Sequence, residues 1–326
     1  MEYEVLKNYK KHFSALGLMY FLGALVIIGV QVAVSLLVGV FAPSIFDNPN
    51  LSLLLSMLPT YAIAFPLIAL FLGHVPGVQM KKHKMTPLQL LGAFSISYAL
   101  MYISNIAGQF LTTIIGFVIH NPVENAIEDL VTDLSPLTTF VILVLLAPVM
   151  EEWLFRKLLV DRTIRYGEGT AILLSGLMFG LFHGNLNQFA YTFFVGAFWA
   201  FIYIKTGDLR YPILLHMALN FMGSVASMFL LDSISALDGA SSAMNGFHFL
   251  LGTMVPLAFI IVYLVIVLGL VISGIVLLVT NRHRFHLVPA EFFIPRNKRF
   301  SVLFLNVGMI LYIVFWGIQI VIQLFM

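Results

Sequence analysis

Residues 17–41 read GLMYFLGALVIIGVQVAVSLLVGVF, twenty-five positions without one Asp, Glu, Lys or Arg. As an α-helix this run is about 37 Å long, more than the ~30 Å hydrocarbon core of a bilayer. Only Tyr20, Gln31 and Ser35 interrupt its apolar character, so it has no polar face to offer water. It reads as a membrane span. It is also too long for the core of a signal peptide and lacks a small-residue cleavage site, so it is expected to stay in place as the first span.

The rest of the 326-residue chain repeats the pattern. It is 60% hydrophobic and 10% charged, with a mean hydropathy of +1.00, which leaves too little polar surface to coat a soluble globule. The fold class expected is an all-α polytopic bundle of about eight to nine spans, drawn at 17–42, 51–76, 88–118, 137–161, 170–186, 188–204, 211–231, 249–280 and 301–325. The fifth is short and runs almost without a loop into the sixth, as a short or broken helix buried among others would. The absence of cysteine excludes disulfides, thiolate metal sites and a cysteine nucleophile together. A net charge of +2 makes no case for nucleic acid.

Charge is sorted between the connections. Lys7, Lys10, Lys11, Lys81, Lys82, Lys84, Arg162, Arg165, Lys205, Arg210 and the stretch from Arg282 to Arg299 fall in one set of loops. Asp47, Glu124, Glu128, Asp129, Asp133, Asp232 and Asp238 fall in the other, without Lys or Arg. The positive-inside rule then puts the amino terminus in the cytoplasm and, with nine spans, the carboxyl terminus outside. Four regions follow: an interfacial segment 1–16, amino-terminal spans 17–136, a chemical core 137–231, and carboxyl-terminal spans 232–326 with a basic cytoplasmic loop 281–300. That loop interleaves arginines with Phe285, Phe292, Phe293 and Phe300, which suits anionic headgroups and equally an ordinary positive-inside loop. No internal repeat of the kind many transporters carry is visible.

Ionisable residues inside spans are costly and few. Glu152 and Arg156, four apart, share one helix face and neutralise each other. Glu151, rotated by about 100°, is left free for chemistry. Lys157 is near enough to the helix end to snorkel. Pro148 removes one backbone hydrogen bond a turn before Glu151. Gly176, Gly180 and Gly184 form a small-residue stripe beside Phe179 and His183, which would bring His183 against a close-packed neighbour, the fourth or seventh helix. His216 and Asn220 point the same way and supply two donors of the kind an oxyanion needs. The helical rise puts His216 about 8 Å, Glu151 about 16 Å and His183 about 21 Å from the same side, a mismatch that calls for a deeper or tilted fifth helix.

The strings Glu151-Glu152-Trp-Leu-Phe-Arg156, Phe179-Gly-Leu-Phe-His183 and His216-Met-Ala-Leu-Asn220 resemble the EExxxR, FxxxH and HxxxN motifs of the CPBP family, the CAAX protease and bacteriocin-processing or ABI family that includes the CAAX prenyl endopeptidases. The resemblance covers roughly residues 140–228. It implies a glutamate intramembrane protease without metal or other cofactor. Glu151 and His183 would activate a water, His216 and Asn220 would steady the oxyanion, and Glu152, Arg156 and Phe179 would support them. It also implies a membrane-associated peptide or protein as substrate, in the bilayer of a cell membrane. Compact loops resemble the bacterial branch, for which leader peptides, pheromones and bacteriocins are the expected substrates. Three other readings stay open: a zinc-dependent peptidase using the same histidines and carboxylate, a non-proteolytic scaffold or immunity protein of the same fold, and a transporter. Oligomeric state is not legible.

Overall fold

In the computed structural model of the chain, residues 2–121, 123, 133–238 and 250–325 are described, and every regular element among them is helical. Seven helices there are long and apolar enough to cross a membrane: α1 (Tyr3–Phe41), α2 (Pro49–Leu72), α3 (Pro87–Ile119), α4 (Pro136–Tyr166), α6 (Leu186–Thr206), α7 (Arg210–Asp238) and α8 (Leu251–Thr280). Between α4 and α6 lies the shorter apolar α5 (Glu168–Phe182). At the carboxyl end α9 (Arg296–Leu303) and α10 (Val307–Gln323) meet at a 66° bend and together make an eighth candidate span. Each of the nine stretches drawn from the sequence thus falls mainly on helix among the described residues, the ninth broken at 304–306. The fifth is the exception in length: its fifteen residues rise only about 22 Å, less than the bilayer core. Residues 2–16, expected as an interfacial lead-in, are helical and continuous with the first span as Glu2–Phe41.

Helix ends in an apolar medium must satisfy their own backbone groups. Thr86 and Gln89 form a reciprocal capping box at the start of α3, with Pro87 in the first turn. Asn185 caps α6 through the N–H of Gln188, and Asn306 caps α10 through that of Met309.

The bundle is built by close crossings. A Cβ at Gly274 of α8 would run into the carbonyl of Ser95 on α3, and one at Gly308 of α10 into that of Ser14 on α1. Lipid gives no hydrophobic drive between helices, so such small residues, which let backbones touch, carry the association. The described face away from these crossings is apolar and open, as at Phe41 and Phe117.

The connections that the charge pattern grouped together also touch. Val78 donates its N–H to Asp161 O, His83 to Thr206 O and Phe292 to Arg165 O. At the other end Ser135 donates its N–H to Asn50 Oδ1. Glu124, Glu128 and Asp129 lie outside the described residues.

Candidate active site

Twice within α4 the helix widens to π geometry, at Phe140–Leu146 and Trp153–Leu158, with one α-helical stretch, Ala147–Glu152, between. The first widening has a visible cause and consequence. Ala147 donates its N–H to Ile142 O, one residue further back than in an α-helix. In that register Leu143 O would wait for the N–H of residue 148, and Pro148 has none. Asn220 fills the place, donating from Nδ2 to Leu143 O at 2.8 Å. Pi-turns recur at functional sites, and here the two flank the α-helical stretch that carries Glu151 and Glu152.

Glu152 and Arg156 meet as the sequence indicated, with both side chains at 0% exposure and Nε 2.9 Å from Oε2. Neither atom completes an aligned hydrogen bond, so the pair is a charge contact more than a donor–acceptor one. Arg156 is further held by Ser175 Oγ, 3.3 Å from Nη1, and by the ring of Phe179, whose centre lies 4.5 Å from the guanidinium carbon.

Glu151 forms no ion pair with Arg156 among the described residues, and the group that faces it is His216. Its Nδ1–H donates to Glu152 Oε1 at 3.0 Å, and its Nε2 faces Glu151 Oε2 at 3.8 Å. One imidazole therefore reaches both carboxylates, because the two nitrogens point to opposite sides of the ring and the carboxylates are carried by consecutive residues of α4. The 3.8 Å gap exceeds a direct hydrogen bond and is of a size that a water can bridge. Glu151 keeps 16% of its side chain exposed, whereas Glu152 keeps none.

The glycine stripe of α5 corrects an expectation. A Cβ at Gly176 would stand 2.7 Å from Phe193 O, and one at Gly180 3.1 Å from Phe189 O. The close-packed neighbour is α6, not α4 or α7, because the short turn after Phe182 folds α6 straight back on α5. His183 caps the end of α5, with Nδ1–H donating to Phe179 O at 2.9 Å. Phe179 stands between the two histidines, its ring centre 4.7 Å from His183 and 5.9 Å from His216. No hydrogen bond or ion pair among the described residues joins His183 to Glu151. The expected mismatch in depth between those two closes, since Glu151 lies fifteen residues before the end of α4 at Tyr166 and His183 fifteen after Glu168, each about 22 Å of helix from the same turn.

Three residues that no motif pointed to complete the arrangement. Trp199 lies with its ring centre 4.5 Å from that of His216, tilted by 32°, and its Nε1–H donates to Ser97 Oγ on α3 at 3.0 Å. Ser175 joins α4 to α5 by donating to Phe155 O at 2.9 Å. Neither Trp199 nor the serines differ in pattern from ordinary residues of an apolar helix, so the sequence carried no signal for them. Lys157, read as snorkelling, pairs with Asp161 one turn nearer the helix end at 2.6 Å, and Tyr203 donates to the same carboxylate at 2.9 Å.

Among the described residues no three His, Asp or Glu side chains converge in a metal-holding arrangement. The class defined so far is a multi-pass helical membrane protein with a buried carboxylate–imidazole–guanidinium cluster on α4 and α7. Residues 133–222 match the family described as Type II CAAX prenyl endopeptidase Rce1-like. Human CAAX prenyl protease 2 is 33% identical over 99 residues, covering 24% of this chain and 30% of that protein. The alignment thus spans under a third of the length of the curated relative it matches. Both matches support the CAAX protease family, the one the three motifs resemble. No solved structure matches.

Proposed function

We propose that the chain is an intramembrane endopeptidase of the CAAX-protease type that hydrolyses a peptide bond in a membrane-associated peptide or protein. The observation that supports it most is His216, whose imidazole joins a fully buried Glu152–Arg156 pair to the partly accessible Glu151. In this reading Glu151 is the general base, with His183 from the adjoining helix helping to hold the water. Glu151 takes one proton from the water, whose oxygen attacks the carbonyl carbon, and returns that proton to the amine nitrogen as the C–N bond breaks. His216 and the second N–H of the Asn220 amide donate to the oxyanion. The charges of Glu152 and Arg156 offset each other, the condition under which a buried pair is tolerable away from water.

The basic connections face the cytoplasm in this proposal, so the water and the substrate reach Glu151 from that side, in the plasma membrane of a bacterium. Leader peptides, pheromones and bacteriocins are the proposed substrates, with a prenylated CAAX tail as the comparison the family match calls for. The test is Glu151→Gln in the full chain. Cleavage of a farnesylated CAAX peptide and of an unmodified leader peptide in proteoliposomes is followed, together with the peptides that accumulate uncleaved in cells. Loss of a general base costs about 10²–10⁴ in rate, with insertion and melting temperature retained. A variant that keeps its biological activity at full strength leaves the scaffold reading in place of the hydrolase. Activity abolished by a chelator and restored by zinc would replace the metal-independent mechanism.

A further inference from the structure

Beside the start of α5, on the side of the bundle away from His183, a cavity of about 740 Å³ opens between α5, the segment before α9, and the α9–α10 bend. Thr170, Leu173, Leu287, Arg296, Arg299 and Phe304 are among its walls. Its lining combines two arginines with aliphatic and aromatic side chains. The acidic groups nearby are already committed. Glu168 holds Lys205 at 2.6 Å and accepts the N–H of Val288 at 2.8 Å. Glu291 accepts two hydrogen bonds from Arg165. Arg299 spends its Nε on Ile294 O at 3.1 Å, which leaves both of its terminal nitrogens uncommitted, and Arg296 is exposed. Neither forms an ion pair among the described residues, so the mouth of the cavity carries unbalanced positive charge.

The position of the cavity decides what that charge is for. Helix α9 begins with Arg296, Lys298 and Arg299 and ends with the buried Val302 and Leu303, and the chain then turns by 66° into the apolar α10. That order of polar start, buried end and bend is the one expected where a span leaves the hydrocarbon. We propose that this cavity binds one anionic glycerophospholipid. Its phosphodiester rests on the guanidinium groups of Arg296 and Arg299, and its glycerol and first acyl carbons lie along Leu173, Leu287 and Phe304. Guanidinium forks match phosphate oxygens, and a volume of this size takes a headgroup with the start of its chains, where a bare phosphate ion would leave most of the apolar wall uncovered. The site is independent of the peptidase reading.

The experiment uses the full chain purified in mild detergent and mixed with phosphatidylglycerol or phosphatidylcholine, with retained lipid counted by native mass spectrometry. The wild type should hold one phosphatidylglycerol in preference to phosphatidylcholine. Arg296→Gln with Arg299→Gln should lower that retention by roughly tenfold to thirtyfold. Lys298→Gln, which removes the same kind of charge from outside the cavity wall, should not. Leu173→Trp, filling the cavity from an apolar wall with both arginines kept, should also lose the lipid. Equal losses from Lys298→Gln and from the double variant would overturn the site in favour of a general basic surface. Displacement of the lipid by millimolar inorganic phosphate would overturn the lipid in favour of a free anion.

Discussion

The indole of Trp199 packs on the imidazole of His216 in a tilted pair, 4.5 Å between ring centres and 32° from parallel. The indole is itself pinned through Nε1–H to Ser97 of α3, whose hydroxyl donates on to Ala93 O at 2.9 Å. A ring held on one face can swing only by disturbing its neighbour, so this stack fixes the plane in which Nδ1 and Nε2 meet the two glutamates. Trp199 is read as a positioning residue. An aromatic pair contributes about 0.5–1.5 kcal/mol, so Trp199→Leu should lower kcat by about 2- to 12-fold with KM unchanged, and Trp199→Phe should restore most of it. A change in KM alone, or equal rates for Phe and Leu, would count against the stack.

Glu152 and Arg156 should behave as a unit. Removing one partner of a buried pair leaves a bare charge and costs about 3–5 kcal/mol, so Glu152→Gln and Arg156→Gln should each lower the melting temperature sharply. The double variant Glu152→Gln/Arg156→Gln should lose much less than the two singles added. Additive losses in a thermal melt would mean that the 2.9 Å contact carries no coupling.

Asn220 and Pro148 should also be coupled, through Leu143 O. Asn220→Ala removes the side-chain donor to this carbonyl and should cost about 1–3 kcal/mol. Pro148→Ala supplies a backbone N–H in the π register, which can take over. The cost of Asn220→Ala should therefore shrink in the Pro148→Ala background, as a double-mutant cycle of melting temperatures would reveal. Activity should fall with Asn220→Ala in both backgrounds, because the backbone repair cannot replace the amide's second donor.

Asp208, in the turn before α7, is held below the usual carboxylate range by hydrogen bonds from Arg210. A depressed value means that this stabilisation is complete above the unfolded value of about 3.9 and is lost as pH falls through the lower folded one. Asp208→Asn should be less stable than the wild type at neutral pH. The difference in melting temperature should narrow as the pH falls from the unfolded value through the lower folded one, and a gap that does not narrow on acidification would exclude the ionic origin.

The sequence alone determined the membrane character, the helical class and the places of the spans, because a run such as 17–41 has one physical solution in lipid. It also carried the Glu152–Arg156 pair, since side chains four apart on one helix meet whatever surrounds them. Other relationships could not be read that way. That His216 reaches both glutamates depends on where α7 crosses α4 and on two π-turns that no spacing announces. That the α5 glycines receive α6 depends on the tightness of one turn, and Trp199 became part of the cluster only because α3 and α6 pack closely enough for Ser97 to hold its indole. Local periodicity fixes what lies along one helix, whereas distances between helices are set by the packing of all of them at once.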